Sequence, residues 1–101
     1  MSEKVLSFQE IEVCVKSLLI KYHAEYALLF GSYARGKANG RSDIDLVVFG
    51  GPDFHATDIF ALADDLQKLI SKEVDVYEIR ELDTETPFYK NVMQDGVKIV
   101  A

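Results

Sequence analysis

The chain has 101 residues, of which 49% are hydrophobic, and a formal net charge of −6 at pH 7. This length predicts one domain over residues 1–101, because domains usually hold about 100–150 residues, and the acidic charge excludes a general basic surface for nucleic acid. One cysteine, Cys14, excludes an internal disulfide, and the acidic N-terminus and the lack of a long apolar run predict a soluble cytoplasmic protein without a membrane span.

The N-terminal part of the chain predicts a helix followed by a strand. Apolar residues recur at helical spacing over residues 11–22, and Ser7 with Glu10 has the pattern of a capping box at the helix start. The short apolar run of residues 26–30 is typical of a buried strand. Gly31 ends that strand and a short helical turn follows.

The middle of the chain predicts a strand, a helix and a strand. Asn39-Gly40 is a strong turn signal ahead of a second strand over residues 43–49. Residues 58–72 carry one apolar stripe and predict an amphipathic helix. Residues 73–79 predict a third strand.

At the C-terminal end, Thr86 with Pro87 predicts an N-cap and a first helical position, so residues 87–94 form a short helix. Asp95-Gly96 then leads into a last strand over residues 97–100. The order of elements predicts an α/β (α+β) domain: a small mixed sheet with helices packed mainly on one face.

Two acids in the second strand need an explanation, because an ionised carboxylate resists burial. Alternate strand residues share a face, so Asp43 and Asp45 project the same way, about 7 Å apart at the Cα atoms. If the third strand neighbours the second, Asp75 joins them. Carboxylates are the ligands that Mg²⁺ prefers, and two ions about 3.5–4 Å apart clamp the attacking and leaving oxygens of a phosphoryl displacement. The pattern is therefore that of a two-metal site.

A binding site for a triphosphate is predicted at Gly31-Ser32, because glycine lets the backbone approach an anion and Ser32 provides a hydroxyl as hydrogen-bond donor. Arg35 or Lys37 would add positive charge. Each feature taken alone has a plainer interpretation: a solvated strand edge for Asp-x-Asp, an ordinary turn for Gly-Ser, and a local hydrogen bond for Ser42. The joint occurrence of these features in this order favours the interpretation that they form a metal- and phosphate-binding site.

The same residues resemble the minimal nucleotidyltransferases of the polymerase-beta superfamily. The family signature is Gly-Ser, a variable residue, Ala-Arg-Gly, five residues and Ser-Asp-x-Asp-Leu. It is complete at Gly31, Ser32, Ala34, Arg35, Gly36, Ser42, Asp43, Asp45 and Leu46.

The resemblance implies a role for each matched residue. Asp43, Asp45 and Asp75 would be the catalytic residues and the ligands of two Mg²⁺ ions, with Asp75 also the base toward an acceptor hydroxyl. The nucleotide would be bound by Gly31, Ser32, Arg35 and Ser42. The implied chemistry is transfer of AMP from ATP with release of pyrophosphate.

Minimal members of the family resemble halves of two-chain systems, in which the partner is a helical HEPN ribonuclease toxin. The implied function is an antitoxin that modifies a tyrosine of the toxin with AMP, masks its site, or both. Two alternatives stay open: a non-catalytic subunit that neutralises by binding, and a transferase for small molecules such as antibiotics. Phe54, Phe88 and Tyr89 are candidates for a partner surface, although core packing explains each of them equally well.

Overall fold

The computed structural model describes residues 4–101. It contains α1 (Phe8–Lys21), β1 (Tyr26–Phe30), α2 (Gly31–Ala34), β2 (Ile44–Phe49), α3 (Asp58–Ile70), β3 (Val74–Glu78), α4 (Pro87–Asp95) and β4 (Val97–Val100), with a 3₁₀ turn at Ile79–Glu81. The predicted order of elements is therefore confirmed. None of the helices in this part of the chain has the length and apolar character that crossing a membrane requires.

The strands form one mixed sheet in the order β3-β2-β1-β4. β1 is antiparallel to both β2 and β4, whereas β2 and β3 are parallel. A parallel pair needs a crossover connection, and α3 supplies it. The predicted fold class, a small mixed sheet in an α/β arrangement, is confirmed.

Local sequence signals explain where the helices begin. The Ser7 hydroxyl accepts a hydrogen bond from the Glu10 N–H at 3.1 Å, and the Glu10 carboxylate accepts one from the Ser7 N–H at 3.4 Å, which completes the predicted capping box. Thr86 caps α4 by accepting from the Tyr89 N–H at 3.2 Å, with Pro87 at the first helical position. Both predicted helix starts are confirmed.

The predicted helix over residues 58–72 ends earlier than expected. α3 stops at Ile70 because Ser71 adopts a left-handed conformation, with φ of 55°, and turns the chain toward β3. Lys72 is therefore outside the helix, and it is 2% exposed. Ile70 is the last apolar residue of the stripe. The hydrophobic periodicity of the sequence carries no signal for the left-handed turn at Ser71 that follows it.

α1 and α3 pack on one face of the sheet and enclose the main core. Every second residue of a strand points into this core; Leu29, Leu46 and Val48 are examples, and each is at most 1% exposed. They pack against the apolar faces of the two helices, for example Leu19 and Leu66. Burial of this face is the main source of stability that the fold offers.

α4 covers part of the opposite face. Its Val92 is 1% exposed and packs in a smaller cluster with Leu28 of β1 and Val47 of β2. Helices thus lie mainly on one face, as predicted. Of the candidates for a partner surface, Phe54 is buried in the core, whereas Phe88 of α4 is 41% exposed; Tyr89 is half-buried.

Candidate active site

Three aspartates meet at one end of the sheet, on the face that α4 covers in part. The parallel register pairs Asp45 of β2 directly with Asp75 of β3. Asp43 lies two residues before Asp45, just ahead of β2, so the alternation of the strand directs it to the same side. β3 is thus the neighbour of β2, which was the condition for the three acids to come together.

The electrostatics of Asp45 reflect this crowding. Burial raises the pKa of the Asp45 carboxyl to about 6, helped by the negative charges of Asp75 and Asp43 and by a hydrogen bond with Asp75, while Arg35 acts in the opposite direction. Removing a carboxylate from water and placing like charges beside it both disfavour its ionised form. A cation bound among these carboxylates would relieve the repulsion.

Gly31 ends β1 directly beside Asp45. Its φ is +74°, a left-handed conformation that residues with a Cβ rarely adopt. A Cβ at this position would collide with the Asp45 carboxylate, lying 3.3 Å from its Cγ and nearer still to an oxygen. Glycine is therefore needed both for the turn and for the approach of the backbone to the acid.

The turn that follows Gly31 carries the other predicted phosphate-binding residues. The Arg35 N–H donates to the Gly31 carbonyl at 3.2 Å, and the Lys37 N–H donates to the Ser32 carbonyl at 2.9 Å. These bonds fold residues 31–37 into a compact turn, and Arg35 in this turn lies near enough to Asp45 for the two charges to interact. Lys37 is exposed at the end of this turn.

Ser42 shapes the turn before β2. Its Oγ accepts a hydrogen bond from the Asn39 N–H at 2.9 Å, and the Asn39 Oδ1 accepts one from the Arg41 N–H at 2.8 Å. Ser42 thus makes a local hydrogen bond, which was the alternative to a nucleotide-binding role in the sequence analysis.

Lys72 supports the same turn and was not singled out from the sequence. Its buried Nζ donates to the Gly40 carbonyl at 2.8 Å, which ties the end of the α3–β3 connection to the segment that leads into Asp43. Lysines are mostly exposed, so the sequence alone gave no signal of this contact.

The donor chemistry of the three aspartates fits Mg²⁺, because carboxylate oxygens are its preferred protein ligands. Within residues 4–101, no three His, Cys, Asp or Glu side chains are already grouped so that they could hold a metal ion. The aspartates thus form a crowded acidic corner rather than a closed cage. Substrate phosphates complete the coordination of Mg²⁺ in many sites of this kind.

Comparison with known proteins identifies the family. The family model described as Polymerase beta, Nucleotidyltransferase matches residues 14–101. A candidate protein adenylyltransferase of Methanocaldococcus jannaschii is 35% identical over 71 residues, which cover 70% of this chain and 76% of that protein.

Solved structures agree in fold. A toxin–antitoxin structure with AMP-PNP superposes with a TM-score of 0.74 at 26% identity, over 87% of this chain and 71% of that one. A candidate minimal nucleotidyltransferase superposes with a TM-score of 0.70 at 30% identity, over 88% of this chain and 89% of that one. Since the family model also spans most of the sequence, including the complete Gly-Ser and Asp-x-Asp motifs, the chain belongs to the polymerase beta nucleotidyltransferase family.

Proposed function

We propose that this nucleotidyltransferase moves AMP from ATP, with Mg²⁺, onto a hydroxyl of a partner protein, a tyrosine of a HEPN ribonuclease toxin, and so acts as the antitoxin of a cytoplasmic pair. The observation that carries the proposal is the register of Asp45 with Asp75 beside Gly31. It sets a cluster of carboxylates next to a turn that admits an anion.

The aspartates have separate roles in this proposal. Asp43 and Asp45 would hold two Mg²⁺ ions, and Asp75, a further ligand, would accept the proton of the attacking hydroxyl. Bound Mg²⁺ supplies positive charge to the attacking and leaving oxygens of the phosphoryl transfer. The elevated pKa of Asp45, about 6, supports the assignment because a carboxylate that is costly to ionise alone gains most from a cation.

The turn after β1 would bind the leaving pyrophosphate. Gly31 lets the backbone come close to the phosphates, Ser32 donates its hydroxyl, and Arg35 adds a positive charge that already acts on Asp45. Ser42 would contribute through the shape of its turn, and its hydroxyl proton stays available for the nucleotide.

The relatives support the choice of nucleotide and partner. The relative from Methanocaldococcus jannaschii carries the name of a protein adenylyltransferase, and the structure with AMP-PNP is that of a toxin–antitoxin. The resemblance to minimal nucleotidyltransferases implies that the toxin is of the HEPN class. Transfer to a tyrosine also suits the chemistry, because its hydroxyl is a nucleophile once deprotonated.

The test is to incubate the chain with labelled ATP, Mg²⁺ and the helical protein encoded beside it, and to locate the label by mass spectrometry. Asp43→Asn and Asp45→Asn are each expected to lower transfer by at least about 10²-fold, as for loss of one electrostatic group in a transition state. Asp53→Asn is the matched control, since Asp53 is an exposed acid away from the corner.

Two outcomes would change the proposal. Full neutralisation of the toxin by the Asp43→Asn/Asp45→Asn double variant would favour the non-catalytic antitoxin. Label on a small hydroxylated compound, and none on any protein, would favour the small-molecule transferase.

A further inference from the structure

A cleft separates the turn after β1 from α4. Its volume is about 220 Å³, and its walls are Phe30, Gly31 and Arg35 on one side and Phe88, Asn91 and Asp95 on the other. Positions 88, 91 and 95 lie on one side of α4, because residues three and four apart share a helix face. The proposed function uses Gly31 and Arg35 but leaves the α4 wall unexplained.

Phe88 gives this wall a flat aromatic surface. Its ring meets the Phe30 ring edge-on, with centroids 5.4 Å apart, and the Tyr77 ring with centroids 5.6 Å apart. These contacts fix the ring, yet Phe88 remains 41% exposed. A fixed, accessible aromatic ring is a stacking platform for a nucleobase.

The cleft adjoins the acidic corner on two sides. Phe30 is paired with Asp45 in the β1–β2 register, and Tyr77 follows Asp75 by two residues on the same face of β3. Gly31 belongs both to the cleft and to the contact with Asp45. A nucleotide whose phosphates lie at the corner therefore has its base within reach of Phe88.

The polar groups of the α4 wall suit a base better than a phosphate. The Asn91 amide carries a donor and an acceptor, the combination that pairs with the N6 amino group and N7 of adenine. The Asp95 carboxylate accepts a hydrogen bond from an amino group and repels a phosphate. Arg35 stands on the opposite side, nearer the corner, where phosphates are expected.

We propose that this cleft is the nucleobase site, in which Phe88 stacks on adenine and Asn91, with Asp95, selects it. The assignment rests on the proposed function, since it takes ATP as the nucleotide, and it adds the residues that set base preference. Neither Phe88 nor Asn91 takes part in the chemical step.

The experiment measures binding of ATP, GTP and inorganic tripolyphosphate to the chain in the presence of Mg²⁺. Phe88→Ala should weaken ATP binding about 10- to 100-fold, the usual effect of losing a stacked aromatic, and leave tripolyphosphate binding unchanged. Met93→Ala is the control, because Met93 is 46% exposed on the same helix and lies outside the cleft.

Base selection is tested with Asn91→Ala against Gln94→Ala, an exposed amide of α4 that does not line the cleft. Asn91→Ala should reduce the preference for ATP over GTP at least about fivefold, whereas Gln94→Ala should leave it intact. Unchanged tripolyphosphate binding in every variant also verifies that the fold is retained.

The outcomes separate this inference from the proposed function. Equal ATP affinity in the wild type, Phe88→Ala and Asn91→Ala overturns the nucleobase site, even where AMP transfer is observed. Loss of transfer from Phe88→Ala with normal ATP binding also overturns it, because the cleft would then take the acceptor side chain. A wild type that binds neither ATP nor tripolyphosphate contradicts the proposed function itself.

Discussion

The two faces of the sheet differ in how completely they are covered. On one face, α1 and α3 bury an apolar core whose strand residues Leu46 and Val48 are 0% exposed. On the other, α4 contributes Val92 to a small cluster, and the acids and several aromatic rings stay partly accessible. Asp45 and Leu46 are neighbours in β2, so a single strand serves stability on one side and carries charge on the other.

We call the face covered by α1 and α3 the closed face and the face partly covered by α4 the open face. The comparison teaches that the open face is where this small fold tolerates energetically unfavourable groups. Burial of Asp45, together with the charges of the two carboxylates beside it, raises its pKa to about 6, so ionisation of Asp45 is disfavoured. The closed face supplies the stability that offsets this. Functional sites often hold such locally unfavourable arrangements.

The largest stability effect is expected on the closed face. Leu66→Ala should lower the free energy of unfolding by about 2–5 kcal/mol, because it removes a buried side chain and leaves a cavity. Met93→Ala on exposed α4 should change it by no more than about 0.5 kcal/mol. Denaturant unfolding measures both; similar values for the two variants would contradict the division between the faces.

A smaller effect on stability, with a large effect on activity, is expected for Gly31→Ala. A residue with a Cβ at φ of +74° carries strain of about 1–3 kcal/mol, and the new methyl group displaces the Asp45 carboxylate. Gly36→Ala is the matched control: its φ is +69°, but a Cβ there meets nothing within 4 Å. We expect similar losses of stability and loss of AMP transfer in Gly31→Ala alone; equal activities would show that the contact with Asp45 does not matter.

The smallest expected effect is an increase in the free energy of unfolding for Asp45→Asn, measured in the absence of metal ions. The raised pKa, about 6 against an ordinary 3.8, means that the folded state binds the Asp45 proton more tightly than the unfolded state. That contribution to stability is fully present below pH 3.8 and is lost as the pH rises through about 6. Because Asp45 is only half-buried, solvent screening limits the difference to about 1 kcal/mol.

Unfolding of wild type and Asp45→Asn between pH 4 and pH 8 measures this difference. The variant should become the more stable of the two above pH 6, and Mg²⁺ at pH 7 should stabilise the wild type alone. A stability difference that does not vary with pH would contradict the raised pKa of Asp45, which burial and the neighbouring acids together produce.

Much of the fold follows from patterns local to the sequence. The bounds of β1 and β4 match the strands predicted over residues 26–30 and 97–100, and Ser7 and Thr86 cap their helices as expected. These features depend on a few neighbouring residues, so the sequence expresses them directly. The end of α3 was misplaced because Ser71 adopts a left-handed conformation, which is uncommon for a residue other than glycine.

By itself, the sequence determined the set of helices and strands, the placement of Asp45 and Leu46 on opposite faces of β2, and the family signature. Each of these depends on the spacing of residues along the chain. Tertiary structure decided that Asp75 pairs with Asp45, that Gly31 abuts the carboxylate, and that α4 faces Arg35 across a cleft. These relations join segments far apart in the chain, and strand pairing and helix packing fix them through the burial of apolar surface over the whole fold.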